Sequence, residues 1–457
     1  MSNSTEPASN NRPAGAHTSS GQGLGSPAVS VLNSLANELL EGILSHLRCA
    51  DLALVSRVSR HLNTLAEPLL YRSVSLVSWS KPGPSPFHII ILTLLSRPLL
   101  ANHVRYLFLS WHALPNIRFG NDRSPRFPPG LRRLTAAAAE VGIDRPPRSD
   151  GAQVLLLLHL LPHLEVLDLT PPSEPDNFST LLNDRNVLPT MPLPVALQSV
   201  REVHYYWSGR GLEWFDTDQL DPSILLVLFR LPAIRMLDVR FMCHADVEID
   251  WTEAAYPVGS STVTDLHFGY GDVTMYTFEK VLRIPRTLTH FSYGACSPGG
   301  RRFFDTLRFK RALETAKETL QSLVLCFSDT IDTDEEGVAG DSTLGIGSLR
   351  DWLVLRSIRC SLSTLLGEGR SVGTLRLVDV LPVGIKELEI EMDGFWSFEE
   401  TMEELVELVE RKEESGIRNL RVLTVPHYWG VQEGLSVVCD AAGVALVRGS
   451  SEGWTFL

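Results

Sequence analysis

An apolar residue, two spacers, a second apolar residue, one spacer and a third apolar residue recur ten times along the chain. The triads are Val104/Leu107/Leu109, Leu164/Leu167/Leu169, Val200/Val203/Tyr205, Ile234/Leu237/Val239 and Val263/Leu266/Phe268. They continue as Leu288/Phe291/Tyr293, Leu320/Leu323/Leu325, Leu355/Ile358/Cys360, Ile385/Leu388/Ile390 and Leu420/Leu423/Val425. Successive first residues are 60, 36, 34, 29, 25, 32, 35, 30 and 35 positions apart. A return of about 20–50 residues is the mark of stacked repeats, each burying its apolar face only against its neighbours. This limits the fold more than length does. The 457 residues would allow two to four domains at about 100–200 residues each, yet repeats can make one long body of them.

Each triad ends in apolar–polar alternation, the period of a strand. Many of the segments between triads have helical spacing instead: His88–Ser96, Ala152–Leu161, Ser223–Phe229, Phe303–Lys317 and Phe398–Glu414. The expected fold is therefore α/β, an irregular leucine-rich-repeat-like solenoid over 85–448 with a mostly parallel curved sheet and helices outside. The Asn ladder of regular leucine-rich repeats is missing. The first interval holds Pro/Gly/Arg-rich pieces and predicts a surface loop or insertion at about 112–150. The acidic, Gly-rich stretch 328–347 predicts another loop. The last helical segment carries eight Glu against Arg411 and Lys412, which reads as a solvated face.

Ahead of the repeats, residues 35–60 read LANELLEGILSHLRCADLALVSRVSR. Leu35, Leu39, Leu40, Ile43, Leu44 and Leu47 form a helical stripe wider than one seam. Ser34 or Asn37 can cap this helix, and Glu38 suits its N-terminal dipole. Asp51 opens a second helix with Leu52, Val55 and Val58. A third runs through Leu62 and Leu65 and is expected to stop at Pro68. Three helices in so few residues cannot bury all their apolar faces on one another, so another surface must cover the rest.

These residues resemble an F-box. Leu35, Glu38-Leu39-Leu40, Ile43-Leu44, Leu47, Asp51-Leu52, Val55, Val58-Ser59-Arg60 and Leu69-Leu70-Tyr71-Arg72 follow the family pattern over 31–76, with Ala36 where a Pro is usual. The stretches LPHLEVLDL, LPAIRMLDV and CDAAGVALV resemble the irregular leucine-rich regions of fungal F-box proteins. The resemblance implies a substrate-recognition subunit of an SCF-type ubiquitin ligase. Leu35, Glu38, Leu39, Leu40, Ile43, Leu44, Leu47, Asp51, Leu52, Val55 and Val58 would then bind the adaptor subunit, and through it a cullin. The repeat region would hold a target protein. The alternative is a non-degradative repeat scaffold whose F-box-like helices cap the solenoid.

The rest of the sequence argues by exclusion. A net charge of −13 with no Lys/Arg block speaks against nucleic acid and against an anionic membrane surface. The apolar runs 89–95 and 154–158 fall far short of the ~20 residues that span a bilayer. Residues 1–30 are Ser/Asn/Gly/Pro-rich, a disordered tail without signal-peptide layout. The six cysteines are scattered, as in a reducing compartment, and read as core thiols in a cytoplasmic or nuclear protein. No metal or cofactor motif is present, and the histidines never pair at ligand spacing. Gly369-Arg370-Ser371-Val372-Gly373 has the form G-x-S-x-G. A helical segment precedes it where a nucleophile elbow needs a strand. No enzyme is expected. Aromatic clusters at Tyr205, Tyr206, Trp207 and Trp214, and at Tyr428 and Trp429, are either core or a target-binding face.

Overall fold

The computed structural model describes residues 35–79, 86–112, 130–143, 150–170, 194–206, 223–240, 257–269, 273, 275–295, 305–327, 345–367, 375–391, 396–427, 429 and 433–449. The chain divides into two compact units, Met1–Leu70 and Tyr71–Leu457.

The first unit is helical: α1 (Asn37–Leu44), α2 (Cys49–Val55) and α3 (Arg60–Arg72), the last running two residues into the second unit. Of the two expected capping residues, Ser34 lies outside the described residues and Asn37 is the first residue of α1. Its N-cap is Ala36, extended and with no side-chain acceptor to offer. Glu38 does sit in the first turn, where the helix dipole favours it. Pro68 does not end α3, which continues to Arg72. A proline at that place removes one main-chain donor, and the apolar positions on either side keep the helix packed. Leu40, Leu44, Leu52, Leu65 and Ala66 form the unit's core, with Leu35, Leu47, Val55, Leu69 and Leu70 packed around it.

The second unit is α/β. Among the described residues twelve strands form one open sheet in strict chain order. They are β1 (Ser73–Trp79), β2 (Tyr106–His112), β3 (Val166–Thr170), β4 (Glu202–Tyr206), β5 (Met236–Arg240) and β6 (Asp265–Gly269). The others are β7 (His290–Ala295), β8 (Ser322–Phe327), β9 (Ser357–Ser361), β10 (Glu387–Glu391), β11 (Val422–Pro426) and β12 (Ala445–Gly449). All pairings are parallel and the register never slips: Tyr106 faces Val166, which faces Glu202, which faces Met236. Among the described residues helices occupy nine of the eleven connections, all but those before β6 and β9, and neighbouring ones pack side by side, as Met275–Val281 does against Thr306–Leu313.

The ten triads become β2 to β11 with the residue two places ahead of each. All thirty of their side chains are 7% exposed or less. Parallel register stacks them into three apolar columns under the helices, at roughly 1.5–3 kcal/mol of burial for each large side chain. Aromatic residues thicken this layer at β6 and β7, where Phe278 meets Phe268, Phe291, Tyr293 and Phe309 at 4.9–6.1 Å between ring centres.

Both end strands lie outside the ten triads. At β1 the residues Tyr71, Val74 and Leu76 do follow the triad, but Tyr71 also completes the F-box pattern, so the body begins before residue 85. At β12 the triad fails because Gly443 and Arg448 take two of its places. The stretch expected as a loop at 112–150 contains the helix Leu131–Glu140, whose Leu134, Ala137 and Ala138 join the core.

In place of an Asn ladder, hydroxyls link some turns. Ser199, Thr262 and Thr319 each stand one place ahead of a triad. Their hydroxyls donate to the first-triad carbonyls of the preceding repeat, Leu164, Ile234 and Leu288, at 2.8, 2.7 and 2.8 Å. Two charges expected in solvent are instead buried. Glu404 is 2% exposed; one of its oxygens accepts the Leu377 N–H at 3.0 Å and the other lies 2.8 Å from Arg376 Nε. Lys412 is also buried and donates to the Ala442 carbonyl at 2.5 Å. Of the cysteines, Cys326, Cys360 and Cys439 are buried and Cys49 is exposed; Cys243 and Cys296 lie outside the described residues.

Candidate functional site

The helical spacing of α1 produces two parallel stripes. Leu40 and Leu44 point into the unit, while Leu39 and Ile43 are 59% and 50% exposed. Residues four apart share a helix face, so Leu39 and Ile43 form one outward apolar strip. On and just after α2, Leu54 and Val58 are each 63% exposed, while Leu52 is buried. The sequence-predicted set is thus sorted by the fold. Leu40, Leu44 and Leu52 are interior; Leu35, Leu47 and Val55 are partly buried against them. Leu39, Ile43, Val58 and Glu38 face outward. Asp51 is half-buried and paired with Arg48 at 3.2 Å. Leu54 was missed. Its place two residues after Leu52 puts it on the opposite side of α2, a signal that helical spacing alone could have supplied.

The sheet offers a second surface. Its helix-covered face takes the second and fourth residue of each strand, so the third residues share the other face. There Asp168, His204, Asp238 and His267 stand side by side on β3, β4, β5 and β6. Asp238 is the hub. It accepts from His204 Nδ1 at 3.3 Å and from Arg240 Nη2 at 2.8 Å. The Arg240 guanidinium lies 4.9 Å over the Tyr206 ring, which stacks on His204. At the near edge Tyr106 donates its hydroxyl to Asp168 Oδ2 at 3.0 Å, while Asp168 Oδ1 is buried without a hydrogen-bond partner.

The two carboxylates titrate in opposite directions. Burial raises Asp168 above the ordinary value, against the bond from Tyr106. Burial also pushes on Asp238, but the bonds from His204 and Arg240 overcome it and its pKa falls. Burial lowers His267, and it carries Tyr206 up to about 12 with help from Asp238. Further along the sheet, Arg359 joins Glu391 at 2.7 Å and Glu389 at 3.4 Å. Among the described residues no three metal-ligating side chains converge.

The expected aromatic contacts divide. Tyr205 belongs to the core, because it occupies the fourth, helix-covered place of β4. Trp429 is also buried, edge-on to Phe398 at 5.4 Å. Tyr206 alone is on the polar face. Trp207, Trp214 and Tyr428 lie outside the described residues, as does Ser371 of the G-x-S-x-G motif.

A family profile described as F-box-like matches residues 32–77. No curated protein matches the chain. The profile match covers α1 to α3 and most of β1. It supports an F-box protein and gives the N-terminal segment a role in protein–protein interaction.

Proposed function

We propose that the chain is the substrate-recognition subunit of an SCF-type ubiquitin ligase. The F-box-like helices dock on the ligase adaptor, which brings the cullin. The sheet-bearing unit, a leucine-rich-repeat-like solenoid, holds a target protein. The observation that carries this reading is the outward set Leu39, Ile43, Leu54 and Val58 on an F-box-like segment. Large apolar side chains in water are a docking surface in search of a partner. The stacked order of the strands supports the repeat reading.

In this role the chain needs no nucleophile of its own. Attack of a target lysine on the ubiquitin thioester takes place on other subunits. The chain contributes proximity, holding the target at high effective concentration beside the conjugating enzyme. It acts in the cytoplasm or nucleus, where the ligase works.

The test is co-purification with the adaptor, beside a Leu39→Asp/Ile43→Asp variant. Binding by the wild type and none by the folded variant is expected. A folded wild type that leaves the adaptor in the flow-through sinks the proposal.

A further inference from the structure

Each of the strands β2 to β11 is preceded by one residue that continues the main-chain ladder. Arg235 N–H donates to the Arg201 carbonyl at 2.7 Å, Lys386 N–H to that of Arg356 at 2.7 Å, and Arg421 N–H to that of Lys386 at 2.9 Å. The register that aligns the strands therefore aligns these residues in one row along the sheet's N-terminal rim. From β2 to β11, six of the ten places in the row are basic: Arg105, Arg201, Arg235, Arg356, Lys386 and Arg421. With 41 Lys and Arg in 457 residues, composition alone predicts about one. Successive members of the six lie 30 to 121 positions apart in the chain, so a search for basic blocks cannot find them.

Two of the six are occupied. Arg105 pairs with the row's one acid, Glu165, at 3.5 Å and donates to the His163 carbonyl; Arg356 donates to the carbonyls of Leu353 and Gly384. Arg201, Arg235, Lys386 and Arg421 are exposed, with no side-chain hydrogen bond or ion pair among the described residues. Their main-chain N–H groups are already used. A ligand therefore meets guanidinium and ammonium groups alone. Neighbouring strands lie ~4.8 Å apart, so Arg201 and Arg235, and likewise Lys386 and Arg421, spring from adjacent places and bring like charges near one another. An anion relieves their repulsion.

We propose that this rim docks an extended acidic segment of a partner protein. The proposal rests on reading the sheet-bearing unit as the target-holding body, and it names the class of target. Seven strand spacings separate Arg201 from Arg421, roughly 34 Å, which about ten residues of extended chain would span at ~3.3 Å each. The pairs Arg201/Arg235 and Lys386/Arg421 mark its ends, with neutral Thr264, Thr289 and Gln321 between. A single extended strand fits such a row. A nucleic-acid duplex is far wider than such a row.

The test uses the full chain and a fluorescein-labelled deca-glutamate peptide, read by anisotropy at low and at moderate salt. The wild type binds saturably and loses affinity as salt rises. Arg201→Glu/Arg235→Glu and Lys386→Glu/Arg421→Glu each weaken binding at least about tenfold, since each removes two cations and adds two anions. Arg132→Glu/Arg311→Glu, which changes two exposed cations on helices away from the row, leaves binding unchanged. Circular dichroism and adaptor co-purification on the same preparations show that each variant is folded and read the ligase proposal separately. No binding by the wild type overturns the inference. So does unaltered binding by both row variants, equal loss in the helix variant, or tighter binding of a single-stranded decanucleotide than of the peptide.

Discussion

In the F-box-like unit, α1 sets Leu40 and Leu44 inside and Leu39 and Ile43 outside. In the sheet-bearing unit every side chain of the ten triads is inside. Both regions are rich in leucine at regular spacing, so spacing alone does not separate a core from a docking face. What separates them is the supply of covering surface. A strand in the sheet has a neighbour on each side and helices across one face, and the stack adds cover with every repeat. Among the described residues of the first unit, three short helices share a core of five residues, and half of the apolar stripe on α1 lies in water.

This contrast can be broken most directly by truncation. Phe278→Ala removes the centre of the aromatic layer between four rings, at an expected cost of about 3–5 kcal/mol. Leu39→Ala is expected to change stability by no more than about 0.5 kcal/mol, because its side chain is already in water. Chemical denaturation followed by fluorescence measures both. A Leu39→Ala cost near that of Phe278→Ala would mean that Leu39 is a core residue and that the two units do not differ as described.

The ten central strands were legible because each triad must be buried on the same face, and period-two alternation followed by a helical segment has few other solutions. The edges were not. Tyr71 belongs to two patterns at once, and Arg448 and Gly443 break the triad at β12, the last strand among the described residues. In the helical unit the outward and inward leucines are neighbours in sequence, so the stripe was seen but its division was not. The polar face was invisible for a different reason. Asp168, His204, Asp238 and His267 are some 30 residues apart, and only parallel register makes them adjacent. The histidines therefore read as scattered. The same holds for the buried Glu404, whose partner Arg376 comes from an earlier connection.

Within the polar face the comparison sharpens to two aspartates. Asp238 has its pKa lowered by His204 and Arg240, so it contributes stability above the ordinary carboxylate value of about 4 and loses it as pH falls through the folded value. Asp238→Asn should cost about 2 kcal/mol at pH 7, because the amide keeps an acceptor but loses the charge to which the largely buried Arg240 and His204 are bonded. Below pH 4 or so the variant and the wild type should converge. Asp168 has the opposite sign. Its raised pKa means that its ionised form opposes folding above the ordinary value. Asp168→Asn keeps an acceptor for Tyr106 and should be neutral or stabilising at pH 7, with the difference closing as pH falls. Thermal melts across pH 3–8 would decide it; two variants that move alike would mean that the hydrogen bonds to Asp238 are not what distinguishes it.

The smallest effect concerns how the turns are joined. Ser199 donates its hydroxyl to the Leu164 carbonyl, and Thr319 does the same to that of Leu288, each bond linking two successive repeats. A hydrogen bond of this kind contributes about 1 kcal/mol net, and its loss leaves a carbonyl that water can reach only in part. Ser199→Ala and Thr319→Ala should each cost about that much. The sites lie several strands apart and share no partner, so the double variant should equal the sum of the two within about 0.5 kcal/mol. The same change at Ser45, whose hydroxyl bonds only within its own exposed turn, should cost less than either. Equal costs at all three positions would mean that a hydroxyl between repeats does nothing that a hydroxyl within a helix end does not, and the joining role assigned to Ser199 and Thr319 would fall.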